Sequence, residues 1–195
     1  MRFGYTEHSI RHINIVSKRA GEILEKLGYS KERIELAKIA GYLHDIGNCV
    51  NRVDHAHSGA ILAYNILKEL GMSAEDRTEI MMAIGTHDEK TGTAVSDISA
   101  ALILADKSDA HRSRVSKKDK GLFDKHDEVN YAVTNSELKI DLEEKKVILN
   151  LTIDTKICPV IDYFEIFMER TKMSKRAAKY LGFWFELIIN DTNLL

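Results

Sequence analysis

Apolar residues recur at intervals of three and four between Thr6 and Leu27, at Ile10, Ile13, Val16, Ala20, Ile23, Leu24 and Leu27. That spacing lines one face of a helix, and Gly28 follows where a helix end takes up left-handed geometry. Ser30 is suited to cap a second helix, whose inward face is Ile34, Ala37, Ile39, Ala40 and Leu43. It runs directly into His44-Asp45, and Gly47 lets the chain turn away without a Cβ clash. A polar link from Asn48 to Asp54 leads to a third helix. This begins near Ala56 and continues through Ile61, Leu62, Ile66, Leu67 and Leu70 to Gly71. Ser73 opens a fourth, Ala74 to Thr86, and a fifth runs from about Asp97 to Asp106. The first hundred residues are therefore expected to form a five-helix bundle.

The pattern changes after Asp106. Lys107 to Lys125 is polar and mixed in charge, which predicts a loop or broken helix. A short helix is expected from about Asp127 to Val133. Strict alternation follows, with Leu138, Ile140 and Leu142, then Val147, Leu149, Leu151 and Ile153, separated by Glu143-Glu144-Lys145-Lys146. Two strands joined by a hairpin are the expected result. Pro159 stands where a helix can start, predicting one helix over Val160–Arg170 and another, capped by Ser174, ending at Leu181-Gly182. Phe183, Phe185, Leu187 and Ile189 alternate again. They predict a third strand in the sheet of Ile140 and Leu149, backed by the helix that bears Phe164 and Phe167. The fold class expected is mainly α, a helical bundle spanning residues 1–115 with a small α+β appendage over 116–195.

Composition narrows the function. A formal charge of -2 offers no basic excess for neutralising a nucleic-acid polymer. Two distant cysteines, Cys49 and Cys158, make no disulfide framework and fit a reducing cytoplasm. No signal peptide or membrane-spanning run is apparent, so a soluble cytoplasmic protein is expected.

Ligand-type side chains gather at the helix ends: His12, His44, Asp45, His57, His87 and Asp106. Imidazole and carboxylate together suit Fe, Mn, Zn or Ni. Rigid helices can hold such groups in a bundle-core metal site. His55, two residues before His57, competes with it for the same place. His8, His111 and His126 are expected at the surface.

The combination His12 … His44-Asp45 … Asp106, with Arg11-His12-Ile13-Asn14, Leu43-His44-Asp45-Ile46-Gly47 and Leu104-Ala105-Asp106 around it, resembles the HD superfamily of metal-dependent phosphohydrolases. The resemblance covers roughly Glu7 to Arg114, and His57 and His87 are similar to the additional histidines of its binuclear branches. It implies an HD-type bundle binding two divalent ions. His12, His44, Asp45 and Asp106 would hold one ion, and Asp45 would bridge to a second held by His57 and His87. It also implies hydrolysis of a small phosphorylated metabolite or nucleotide. Asp45 and Asp88 are the expected catalytic carboxylates. Two departures matter. Asn48 replaces a lysine common after the motif, and Asp88 replaces a second histidine of the cyclic-dinucleotide phosphodiesterases, whose Gly-Tyr-Pro signature is absent. A di-iron oxygenase and a non-catalytic nucleotide-sensing module are the alternatives. Substrate selection is expected from Asn48, Lys90, Lys107, Arg112 and Arg114, with Arg112 favoured because it lies nearer Asp106. An open strand edge in the appendage is expected to allow a homodimer.

Overall fold

A computed structural model describes residues 10–115 and 119–195, so the expected start of the first helix at Thr6, and His8 with it, lie outside the described residues. Five helices follow in order: α1 (Ile10–Lys26), α2 (Lys31–Leu43), α3 (His55–Glu69), α4 (Ala74–Gly85) and α5 (Asp97–Lys107). Ser30 accepts from the Arg33 N–H at the start of α2, as expected. Arg33 is bidentate to Asp97, with its Nε 2.7 Å from Oδ2, and so ties the start of α2 to the start of α5. Every residue of α5 from Ile98 to Lys107 is buried. A helix apolar all round belongs in the middle of a fold, and α5 touches α1, α2 and α4 on one side and the C-terminal helix on the other.

Two glycines set how closely the ligand-bearing elements approach. A Cβ on Gly41 would lie 2.7 Å from the Ser17 Cα, so α1 and α2 cross backbone to backbone at this point. A 3₁₀ turn, Ile46–Cys49, follows α2. There a Cβ on Gly47 would lie 2.0 Å from the His55 carbonyl oxygen. The absent Gly47 side chain allows the first turn of α3 to rest on this 3₁₀ turn.

Beyond α5 the polar stretch forms two 3₁₀ turns, Arg112–Arg114 and Lys120–Leu122, and then α6 (Lys125–Ala132). Strands β1 (Val133–Asp141) and β2 (Lys146–Ile153) form the expected antiparallel hairpin, but Leu142 sits exposed in its turn. The two expected C-terminal helices are one, α7 (Val160–Tyr180), with a kink at Phe167 (φ -115°, ψ 16°). Ser174 caps nothing; its hydroxyl donates to the Arg170 carbonyl within the helix, a bond that lets serine sit in a helix interior.

Strand β3 (Trp184–Ile189) pairs parallel to β2, with Val147 opposite Phe185, Leu149 opposite Leu187 and Leu151 opposite Ile189. A parallel neighbour requires a long crossover, and α7 supplies it. Phe183 falls just before β3 because its N–H is used to close the end of α7 on the Ala178 carbonyl. A two-residue strand β4 (Thr192–Asn193), not foreseen from the pattern, completes the order β1-β2-β3-β4. Helix α7 packs on β2 and β3, and the buried apolar residues of bundle and sheet, Tyr163 and Phe167 among them, form one continuous core. Among the described residues no helix is long and apolar enough to cross a membrane.

The crossing at Gly41 yields a first prediction. Gly41→Ala must force Ser17 and Gly41 apart, and overpacking of this kind costs about 1–3 kcal/mol. A urea midpoint equal to that of the unsubstituted chain would show that the two helices can slide without penalty.

Candidate metal centre

The end of α2, the first turns of α1 and α3, the second residue after α4 and the last turn of α5 converge on one buried point. His12, His44, Asp45, His55, His87 and Asp106 are all buried there. His12 and His44 stand edge to face with ring centroids 5.2 Å apart, as do His44 and His87. His12 Nε2 lies 3.3 Å from Asp106 Oδ1 and 3.6 Å from Asp45 Oδ2. His44 Nε2 is 3.2 Å from Asp45 Oδ2, and His55 Nε2 is 3.5 Å from Asp45 Oδ1.

What orients the rings is behind them. His44 Nδ1 donates to the Gly41 carbonyl (2.8 Å), His55 Nδ1 to Arg52 (3.2 Å) and His87 Nδ1 to Ile84 (2.6 Å). A carbonyl only accepts, so each Nδ1 carries the proton and each Nε2 faces the centre as a donor of an electron pair. His12 Nδ1 is 2.8 Å from Asp109 Oδ2. The Asp109 carboxyl is pulled down to about 2, against its burial, by His12 and Arg114, and is therefore ionised. Arg114 lies 3.1 Å from the same Nδ1 but donates to the Asp109 carbonyl at 3.0 Å.

These groups fit a metal. His44 Nε2 is buried and makes no hydrogen bond among the described residues, the state expected of a nitrogen aimed at an ion. His55 and His87 present their Nε2 atoms to each other at 3.2 Å. Burial, with His44 and Lys107 nearby, drives His87 down to about 3; burial and Arg52 lower His55 as well. Two neutral imidazoles with facing lone pairs repel unless a cation lies between them. Burial would raise Asp106, but Lys107, His12 and His44 hold it well below the usual carboxylate range. Suitably close donor sets are His12, His44 and Asp106, and His44, Asp45 and His87, the atoms of each within 4.8 Å of one another.

His57 is not among them. It is exposed and its ring hydrogen-bonds Asp54. Two positions along an α-helix differ by about 200° around its axis, so α3 can turn only one of His55 and His57 inward. It turns His55, because the helix begins there, one residue before the expected start. Among the expected substrate groups, Asn48 instead orients Asp45, donating to its Oδ1 at 2.8 Å. Lys90 is exposed and lies outside the pocket, whereas Asp88 lines it. Lys107 is pinned inward between Asp106 (2.7 Å) and Glu89 (2.6 Å). The order of the two arginines reverses: Arg112 stacks on Tyr131 away from the centre, and Arg114 lines the pocket. A 3₁₀ turn rotates about 120° per residue, so residues two apart cannot share a face. Arg52, Glu89, Asp109 and Arg170 also belong to the site or its support and were not anticipated. Only Asp109 left a local trace, lying three residues after Asp106.

Two substitutions test this arrangement. His55→Ala should lower metal content and His57→Ala should not, measured as bound metal per chain; the reverse result would put α3 in the other register. Asp109→Ala removes the acceptor that fixes His12, and losses of such a partner typically weaken metal affinity about ten- to hundredfold. Equal affinity would mean that packing alone orients His12.

The chain was compared with known proteins. The chain is 30% identical to the uncharacterized protein MJ1020 of Methanocaldococcus jannaschii over 135 residues, covering 58% of this chain and 51% of that one. It thus spans about half the length of that relative. A crystal structure of a predicted HD superfamily hydrolase from an uncultured Thermotogales bacterium is 33% identical, with a TM-score of 0.45 over 53% of this chain and 57% of that one. The HD domain model matches residues 6–165, from before His12 into α7. With so much of its length inside that match, the chain belongs to the HD domain family.

Proposed function

We propose that this protein is a metal-dependent phosphohydrolase acting on a small phosphorylated metabolite or nucleotide. The observation that carries this reading is the charge of the pocket wall. Four carboxylates (Asp45, Asp88, Glu89, Asp106) face four cations (Arg52, Lys107, Arg114, Arg170), beside neutral His55 and His87. Two of the carboxylates, Asp45 and Asp106, belong to the candidate ligand sets. Divalent ions matched to them leave the pocket positive, the sign that draws in a phosphate ester.

His12, His44 and Asp106 would hold one ion, and His55 and His87 a second, with Asp45 between them. When bound, such ions supply hydroxide at neutral pH and charge opposite the phosphoryl oxygens. The protein's own groups do the rest. Asn48 keeps the Asp45 carboxylate turned toward the centre. The Asp88 carboxylate lies in the pocket wall, 3.9 Å from His55 Nδ1, and would take up or return a proton at the departing oxygen. Arg114 offers planar, paired donors that match phosphate geometry.

Asp45→Ala should abolish turnover of a phosphomonoester and phosphodiester panel and strip both ions, read by elemental analysis. A variant that keeps two ions per chain would sink the bridging role.

A further inference from the structure

One cation of the pocket wall comes from a distant part of the chain. Arg170 lies on α7, beyond residue 165, where the family match ends. Its side chain is only 12% exposed and its Nε has no hydrogen-bond partner among the described residues. The guanidinium stacks over the ring of Phe167, 4.5 Å from its centroid. Phe167 itself is buried, and it is the residue at which α7 kinks. Residues three apart share a helix face, so the aromatic ring at the kinked turn supports the guanidinium from one side where Arg170 lines the pocket. Thr171 donates to the Phe167 carbonyl at 2.9 Å, which secures the irregular turn.

The surrounding carboxylates, Glu89 first and then Asp106 and Asp109, favour the charge of this arginine, but among the described residues none accepts a hydrogen bond from it. The carboxylate nearest to it, Glu89, stands 3.9 Å from the Arg170 Nε, too far for a hydrogen bond, and is engaged by Lys107 at 2.6 Å. Arg114 also lines this wall, and after burial the charge of Arg170 is the strongest influence lowering its proton affinity. Two guanidiniums kept together out of water, with donors to spare, are an arrangement that an anion between them would stabilise.

We propose that Arg170 is a substrate-binding residue which, with Arg114, clamps the phosphate group of the substrate against the metal centre. The C-terminal segment thereby completes the pocket rather than merely packing on the bundle. This rests on the phosphohydrolase reading and adds to it the residue that grips the anion. The guanidinium is already held against the Phe167 ring, so binding costs little side-chain freedom.

The test titrates inorganic phosphate into the full chain loaded with Mn²⁺ and follows binding by calorimetry. Arg170→Met keeps an unbranched side chain beside Phe167 and removes the charge; Arg170→Gln is the second variant should the first fail to fold. Both should bind phosphate about ten- to hundredfold more weakly, with metal content unchanged and the chain still folded, and Arg170→Lys should fall between. On any panel substrate that is turned over, KM should rise more than kcat falls. Unchanged phosphate affinity in a folded, metal-loaded variant overturns the clamp and leaves the hydrolase reading standing. A wild-type chain that binds no phosphate overturns it too. Weakened binding in the variants, with no turnover of any panel substrate by the wild type, supports the clamp and counts against the hydrolase reading alone.

Discussion

Four imidazoles and two carboxylates share one small buried volume, and everything around them serves to hold that arrangement. Burying such groups costs several kcal/mol unless each finds a partner. The partners are found at the backs of the rings. Gly41, Arg52 and Ile84 give a carbonyl each, and Asp109 gives a carboxylate. Because each acceptor for His44, His55 and His87 lies three residues earlier in the chain, helix and turn geometry themselves set the ring direction. The inward nitrogens are then left for an ion, and for His44 the unmet hydrogen bond is plain. Stability and metal affinity become linked, since a cation bound only by the folded chain adds its binding free energy to folding.

Helix α5 connects this site to the rest of the protein. It is the wall against which α1, α2 and α4 pack, and its last turn carries Asp106 and Lys107 into the centre. Its opposite side receives α7, the crossover that makes β2 and β3 parallel neighbours. The same helix that covers the sheet thus brings Arg170 to the pocket. Glu89 sits between Lys107 and Arg170, and despite its burial these two cations pull it down to about 2. A carboxylate lowered in the folded state stabilises it above the unfolded value of roughly 4. That contribution is lost only as pH falls toward 2, so this charge network stays intact throughout the neutral range.

Much of this was legible along the chain. Three-and-four spacing located the bundle helices, and alternation located β1, β2 and β3, because both patterns reflect which side of a local element meets the core. The His44-Asp45 pair at a helix end, His12 on an apolar stripe, His87 after α4 and Asp106 at the close of α5 were visible for the same reason. Other features depended on contacts between distant segments. His55 rather than His57 faces the centre because the first turn of α3 rests on Gly47, which fixes where that helix begins. Arg114 rather than Arg112 points inward because a 3₁₀ turn, not a loop or helix, follows α5. The continuity of α7 through Phe167 and Ser174, and the arrival of Arg170 beside a bundle it does not adjoin in sequence, came from packing on α5 and on the sheet. Local periodicity specifies an element and its buried side; only the packed tertiary structure selects which distant side chains meet.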